Sequence, residues 1–169
     1  MIVLETERLT LRKFSTDDAP FILALLNEPS FLRYIGDKGV RNLEDARQYI
    51  LNGPVESYAR NGFGMYLVEL RETNLPIGMC GLVKRDGLTD ADVGFAFLPA
   101  YWSKGYAVES ASAVLAFARE VLGLKQILGI TLPDNHSSIK VLQKIGLRFE
   151  QMVKLSEDKE ELMLFTTNF

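Results

Sequence analysis

The stretch Pro99-Ala100-Tyr101-Trp102-Ser103-Lys104-Gly105-Tyr106-Ala107-Val108-Glu109 holds the residues best suited to chemistry. A strand pattern ends at Pro99 and a long helical pattern begins near Tyr106. A helix N-terminus carries unpaired backbone N–H groups and the positive end of the helix dipole, so it favours an anion. Gly105 and Ala107 lack bulk, which lets a phosphate approach the backbone, and Lys104 adds positive charge. The same spacing also fits an ordinary tight loop. It is not a Walker loop, because no Gly-Lys-Ser/Thr follows a glycine at the required distance. Gly62-Phe63-Gly64 is no dinucleotide fingerprint either, since Leu67 stands where its third glycine belongs.

Other reactive side chains are scarce. Cys80 is the only cysteine and His136 the only histidine. Cys80 lies mid-strand among Met79, Leu82 and Val83 with no nearby histidine to activate it, so packing is its expected role. Neither residue can build a zinc site with so few companions, and no metal is expected. Asp92 opens a strand, where the plain reading of its carboxylate is a solvated strand-end group. Asn135 has the residue type of an N-cap.

The elements that position these residues follow from patterning. Leu9 to Phe14 alternates as a first strand, and Ser15 with Asp18 forms a capping-box variant before the helical set Phe21, Ile22, Leu25 and Leu26. Pro29 is expected to stop that helix, and Asn42 to cap a second one that Gly53-Pro54 ends or kinks, with a helical pattern able to resume as far as Tyr58. Met65–Leu70 and Ile77–Val83 read as an antiparallel hairpin, joined by Ala91–Leu98 as a third strand in which Gly94 suggests a bulge or a close backbone approach. A long helix with Val108, Ala111, Leu115, Ala118 and Leu122 inward ends at Gly123, and a strand follows at Gln126–Leu132. Strand, crossover helix and strand imply local parallel pairing. A short helix at Asn135–Ile145 and strands at Leu147–Leu155 and Leu162–Thr167 complete a mixed α/β order.

At 169 residues, with 47% hydrophobic and 24% charged, the chain is sized for one core, and a single domain over 1–169 is expected. A net charge of −3 without a basic cluster argues against direct nucleic-acid binding; RNA reached through a protein partner is the exception. No apolar run approaches ~18 residues, so no membrane span is expected. The lone cysteine suits a reducing compartment and the opening residues lack a basic signal region, which together point to the cytoplasm.

The loop from Trp102 to Ala107 resembles the pyrophosphate-binding signature Gln/Arg-x-x-Gly-x-Gly/Ala of the GNAT acetyltransferases. Asn135 to Leu147 resembles their second motif, Asn-x-x-Ser…Glu-Lys-x-Gly-Phe. The start Glu5-Thr6-Glu7-Arg8-Leu9-Thr10-Leu11-Arg12 is similar to that of the ribosomal-protein N-terminal acetyltransferase branch. Each motif is weak alone; their order and spacing across nearly the whole chain are specific. Two positions depart from the pattern: Trp102 stands at the first loop position, and Leu142 where a proton-donating tyrosine is common.

The resemblance implies a single GNAT domain, with a mixed, mostly antiparallel sheet, a central splayed parallel strand pair and helices on both faces. It implies acetyl-CoA as co-substrate. The pyrophosphate would sit on Ser103, Lys104, Gly105, Tyr106, Ala107 and Val108. The pantetheine would run along the backbone of Phe97 and Leu98, with Asn135 against the arm. Ser138 is either a routine first-turn residue or a hydroxyl near the sulfur. Asp92 and Ser138 are the catalytic candidates. The implied reaction is direct attack of a primary amine on the thioester, most naturally a protein or peptide N-terminus. A small-molecule amine acceptor and a non-catalytic acyl-CoA-binding module are the alternatives. The partners are then acetyl-CoA and the acceptor, in a monomer or homodimer.

Overall fold

The computed structural model describes residues 1–168 and holds one eight-stranded sheet in the order β1-β2-β3-β4-β5-β6-β8-β7. Its strands are β1 (Ile2–Glu5), β2 (Leu9–Arg12), β3 (Met65–Leu70), β4 (Pro76–Val83), β5 (Asp92–Phe97), β6 (Gln126–Thr131), β7 (Arg148–Val153) and β8 (Leu162–Asn168). The helices are α1 (Ala19–Leu26), α2 (Pro29–Tyr34), α3 (Leu43–Ile50), α4 (Glu56–Asn61), α5 (Tyr106–Glu120) and α6 (His136–Lys144).

The period-two side-chain alternation of the strands divides the interior into two layers. Tyr66, Val68, Cys80 and Leu82 join Ala111, Val114, Leu115 and Ala118 of α5 and Leu142 of α6. Leu67 and Met79 point the other way and meet Ile22, Leu25 and Leu26 of α1, Phe31 of α2 and Ile50 of α3. Helices therefore cover both faces of the sheet.

Several local readings are corrected. Ile2–Glu5 forms an edge strand that the sequence pattern left unassigned, antiparallel to β2. Pro29 does not merely stop α1; it starts α2 at the first helical position, where its missing N–H costs nothing. At Gly53-Pro54 the second of the two expected outcomes holds, for the helical path widens into a π turn over Leu51–Val55 and resumes as α4, which ends three residues past Tyr58. The bulge suggested at Gly94 is absent, for β4 and β5 pair in unbroken register from Gly78↔Phe97 to Val83↔Asp92.

The parting of the sheet lies on the other side of β5. β5 and β6 run parallel and register at a single pair, Asp92↔Leu128, supported by the bond from the Leu128 N–H to the Ala91 carbonyl at 3.0 Å. β6 turns instead to β8, with which it pairs along its full length. The strands thus meet at the head of β5 and separate toward Phe97.

Candidate active site

The loop after β5 turns sharply to bring α5 back over the sheet. A short 3-10 turn at Pro99–Tyr101 leads to Trp102, whose indole N–H donates to the Phe97 carbonyl at 2.8 Å. Ser103 (φ +62) and Gly105 (φ +83) both adopt left-handed backbone. At Gly105 that conformation favours glycine, and an added Cβ would stand 3.3 Å from the Arg8 guanidinium. No side chain caps α5, so the first-turn N–H groups of Tyr106, Ala107 and Val108 are directed outward without an intrahelical partner. Lys104 is exposed beside them.

This helix start is braced by the N-terminal segment. Glu109 accepts from the Thr6 hydroxyl at 2.5 Å, from the Arg8 N–H at 2.9 Å and from Arg8 Nε at 2.6 Å. Arg8 Nη1 also donates to the Lys104 carbonyl at 3.0 Å, and its guanidinium lies 4.4 Å from the Tyr106 ring centre. Burial alone would raise the Glu109 carboxyl, but the bonds from Thr6 and Arg8 outweigh it and hold the group below the usual carboxylate range. Arg8 thereby neutralises an acid that would otherwise repel an anion at this helix end.

The backbone of β5 alternates between its neighbours. The Leu98 N–H donates to the Ile77 carbonyl at 3.0 Å, and the Leu98 carbonyl accepts the Tyr101 N–H at 2.9 Å. Leu98 thus spends its main-chain groups inside the protein, which corrects the expectation that they face the parting. Ala91 directs its carbonyl to β6, so by alternation Val93, Phe95 and Phe97 are the residues whose backbone faces that side. The Phe97 carbonyl is shared with Trp102.

Across the parting, Asn135 caps α6 by accepting the Ser138 N–H at 3.3 Å. Ser138 is half-buried in that first turn. Leu142, at the usual tyrosine position, is buried over Gly129 of β6, where an added Cβ would come within 2.7 Å of it. Its place is packing, and it offers no proton.

Asp92 sits where β5 and β6 meet and is only 1% exposed, so it is not a solvated strand-end residue. Its Oδ1 accepts from Arg85 Nε at 3.0 Å. Burial pushes its carboxyl up, the Arg85 charge and hydrogen bond pull it back, and the balance falls at about 6. Cys80 is wholly buried, and burial pushes its thiol up to about 12, which denies it a nucleophilic thiolate at neutral pH. His136 is exposed at the start of α6. Among the described residues no group of His, Cys, Asp or Glu is arranged to hold a metal ion, and no helix is long and apolar enough to cross a membrane.

Phe97 and Ser103 to Val108 thus lie on the β5–α5 connection, Asn135 and Ser138 open the helix that follows β6, and Asp92 sits where β5 and β6 meet. The sequence reading missed Arg8 and Arg85 as partners. Arg8 lay within a noted motif and Arg85 beside Lys84, but neither local pattern revealed a carboxylate partner.

Known proteins share this fold and much of its sequence pattern. The family described as Acetyltransferase (GNAT) domain matches residues 8–148. The uncharacterized N-acetyltransferase YoaA of Bacillus subtilis (strain 168) is 29% identical over 153 residues, spanning 90% of this chain and 86% of the relative. A GNAT-family acetyltransferase structure from Bacillus anthracis superposes with a TM-score of 0.81 at 26% identity, covering 99% of this chain and 98% of the other. The ribosomal L7/L12 α-N-protein acetyltransferase RimL, solved with coenzyme A, superposes with a TM-score of 0.86, covering 99% and 98%. At 16% identity that last likeness speaks to the fold alone.

Proposed function

The chain belongs to the GNAT acetyltransferase family and is an N-acetyltransferase; from there we propose that it carries acetyl from acetyl-CoA to the α-amine of a protein or peptide. The observation that carries the choice of acceptor is Asp92, a carboxylate buried at the meeting of β5 and β6 and raised to about 6. An α-ammonium titrates near ~8 and a lysine side chain near ~10.4, so a base of this strength is much better matched to the α-amine.

In this reading the N–H groups of Tyr106, Ala107 and Val108 hold the pyrophosphate, with Ser103, Lys104 and Gly105 shaping the approach. The pantetheine lies in the parting along Phe95 and Phe97 and against Asn135. The amine nitrogen attacks the thioester carbonyl, and a β5 backbone N–H stabilises the oxyanion. The ammonium proton passes to Asp92, directly or through one water. The carbon–nitrogen bond forms, the carbon–sulfur bond breaks, and the second proton lost by the nitrogen reaches the departing thiolate, with the Ser138 hydroxyl as the relay in this scheme. No acyl-enzyme is involved, in keeping with the buried Cys80.

The test is thiol release from acetyl-CoA with an acceptor panel: peptides with free and blocked N-termini, lysine, a polyamine and an aminoglycoside. Turnover with free-terminus peptides and not with their blocked counterparts is the expected result. Turnover confined to a small amine would reassign the acceptor. Titration of acetyl-CoA without turnover on any amine would make the chain a binding module.

A further inference from the structure

A second charged cluster lies on the sheet face opposite α5 and α6. A cavity of about 410 Å³ opens between residues 38–40 and α3, lined among others by Lys38, Asp45, Gln48, Tyr49 and Asn52. Two of these polar groups are already used. The Asp45 carboxylate accepts the Arg41 N–H at 3.0 Å, and the Gln48 amide donates to Glu44 at 3.2 Å. Among the described residues, Lys38 Nζ, the Tyr49 hydroxyl and the Asn52 side-chain amide make no hydrogen bond.

By the alternation of β5, Asp92 shares the face of Ala96, the face against which Tyr49 packs, so the cavity lies on the base's side of the sheet. Lys38 and Tyr49 both feel the charge of Arg85, the residue that holds Asp92. Lys38 keeps surface exposure along its length, yet protein around its ammonium lowers its pKa, and Arg85 and Lys159 push it the same way. The charges that reach Lys38 are both positive. Lys38 therefore lies in a positive field from Arg85 and Lys159, and of those two only Arg85 has an ion-pair partner among the described residues, Asp92. Like charges partly withdrawn from water are relieved by an anion, and the free hydroxyl and amide in the same cavity are ready donors to it.

We propose that this cavity receives a carboxylate of the acceptor, so that the preferred substrate is an amine with an acidic group a few bonds away. This inference rests on the amine-acceptor reading above. Lys38 pairs with the carboxylate, Tyr49 and Asn52 donate hydrogen bonds to it, and the amine is thereby held toward Asp92. The carboxylate is that of an aspartate or glutamate close behind a peptide N-terminus, or that of a free acidic amino acid.

The experiment measures initial rates with acetyl-CoA for C-terminally amidated peptides that differ only by Glu against Gln at the second and third positions. Free glutamate is run beside glutamine, and every acceptor is tried on wild type, Lys38→Gln and Lys38→Glu. Wild type should show a KM about tenfold lower for the acidic acceptor, the effect of one partly desolvated charge pair. Lys38→Gln should remove most of that difference with kcat little changed, and Lys38→Glu should reverse it. A preference seen with the peptides identifies a protein terminus as the source of the carboxylate; one seen only with free glutamate identifies an amino acid. Equal KM values for acidic and amide acceptors in wild type, or a preference that survives Lys38→Glu, overturn the inference. Absence of thiol release with every amine, while acetyl-CoA still binds, would instead overturn the amine-acceptor reading itself.

Discussion

Two carboxylates, each held by one arginine, mark opposite ends of the β5–α5 unit and are built to opposite effect. Glu109 is fixed by Thr6 and both the backbone and side chain of Arg8, and stays below its ordinary range. Asp92 has one arginine contact and deep burial, and rises to about 6. The first is a brace that remains charged at any working pH. The second can change protonation near neutrality, which is what a base must do. The regions around them differ in the same sense. At the α5 start the side chains are tied by Thr6 and Arg8 and only backbone N–H groups stay open, whereas in the Lys38–Tyr49 cavity the open donors are side chains. In the reading proposed above, the half that handles a constant co-substrate is thus the more rigidly braced, and the half that selects a variable acceptor is the more open.

The sharpest break of this contrast is Asp92→Asn, which keeps the size and removes the basicity. A positioned base contributes ~10²–10⁴-fold, so kcat should fall within that range while calorimetry finds acetyl-CoA affinity unchanged. Raising the assay pH should partly restore the rate by deprotonating the amine in solution. Superimposable kcat profiles across pH would remove Asp92 from the chemistry. The same substitution has a signature in stability. Because its folded value lies above the ordinary ~3.9, Asp92 weakens the fold as pH rises from about 4 to about 6, by roughly 2–3 kcal/mol. Urea titrations over that interval should show the slope flattened in Asp92→Asn.

On the other side, Gly105→Glu places a negative side chain and left-handed strain at the uncapped helix start. Affinity for acetyl-CoA should drop by about 100-fold or more, given a lost anion site and a new repulsion. Gly105→Ala, which carries the strain alone at ~1–2 kcal/mol, separates the two causes. A folded Gly105→Glu protein that binds acetyl-CoA normally would move the pyrophosphate elsewhere.

Glu109→Gln tests the brace. Its loss leaves Arg8 without its anion and should cost about 1–3 kcal/mol in denaturant unfolding at neutral pH. The contribution is present above the ordinary carboxylate range and disappears as pH falls through the lowered folded value, so wild type and variant should converge in acid. An unchanged difference at low pH would show that packing, not charge, is what Glu109 supplies. The smallest effect belongs to Cys80→Ala: kcat should stay within about twofold, since a thiol at about 12 supplies almost no thiolate. An acetylated Cys80 trapped on the pathway, with a dead alanine variant, would replace direct attack by a two-step route.

What could be read from the chain follows the range of the interactions. Met65–Leu70 is bounded as expected because alternation and burial agree within six residues. The caps at Ser15 and Asn42 are local bonds, and both form as residue type suggests. The α5 loop was legible because glycine, lysine and a helix start are neighbours in the chain. Pro29 misled because a proline before a helix and one after it look alike without the next turn's packing. Gly94 misled because the strands part by β6 turning to β8, an event about 35 residues later in the chain. Glu109 with Arg8, and Lys38 with Arg85 and Lys159, join distant segments, and no local pattern encodes them. Asp92 was placed correctly on the strand, but only the fold supplies the burial that raises it.

Trp102 is the only tryptophan in the chain, half-exposed and tied by its indole N–H to Phe97 at the edge of the parting. Its fluorescence is therefore a single-site optical reporter of that edge, with no second emitter of its kind to subtract. Ligand entering along Phe97 should change the polarity and hydrogen bonding of one ring, so emission shift and quenching would follow occupancy in real time, before any acetyl group moves.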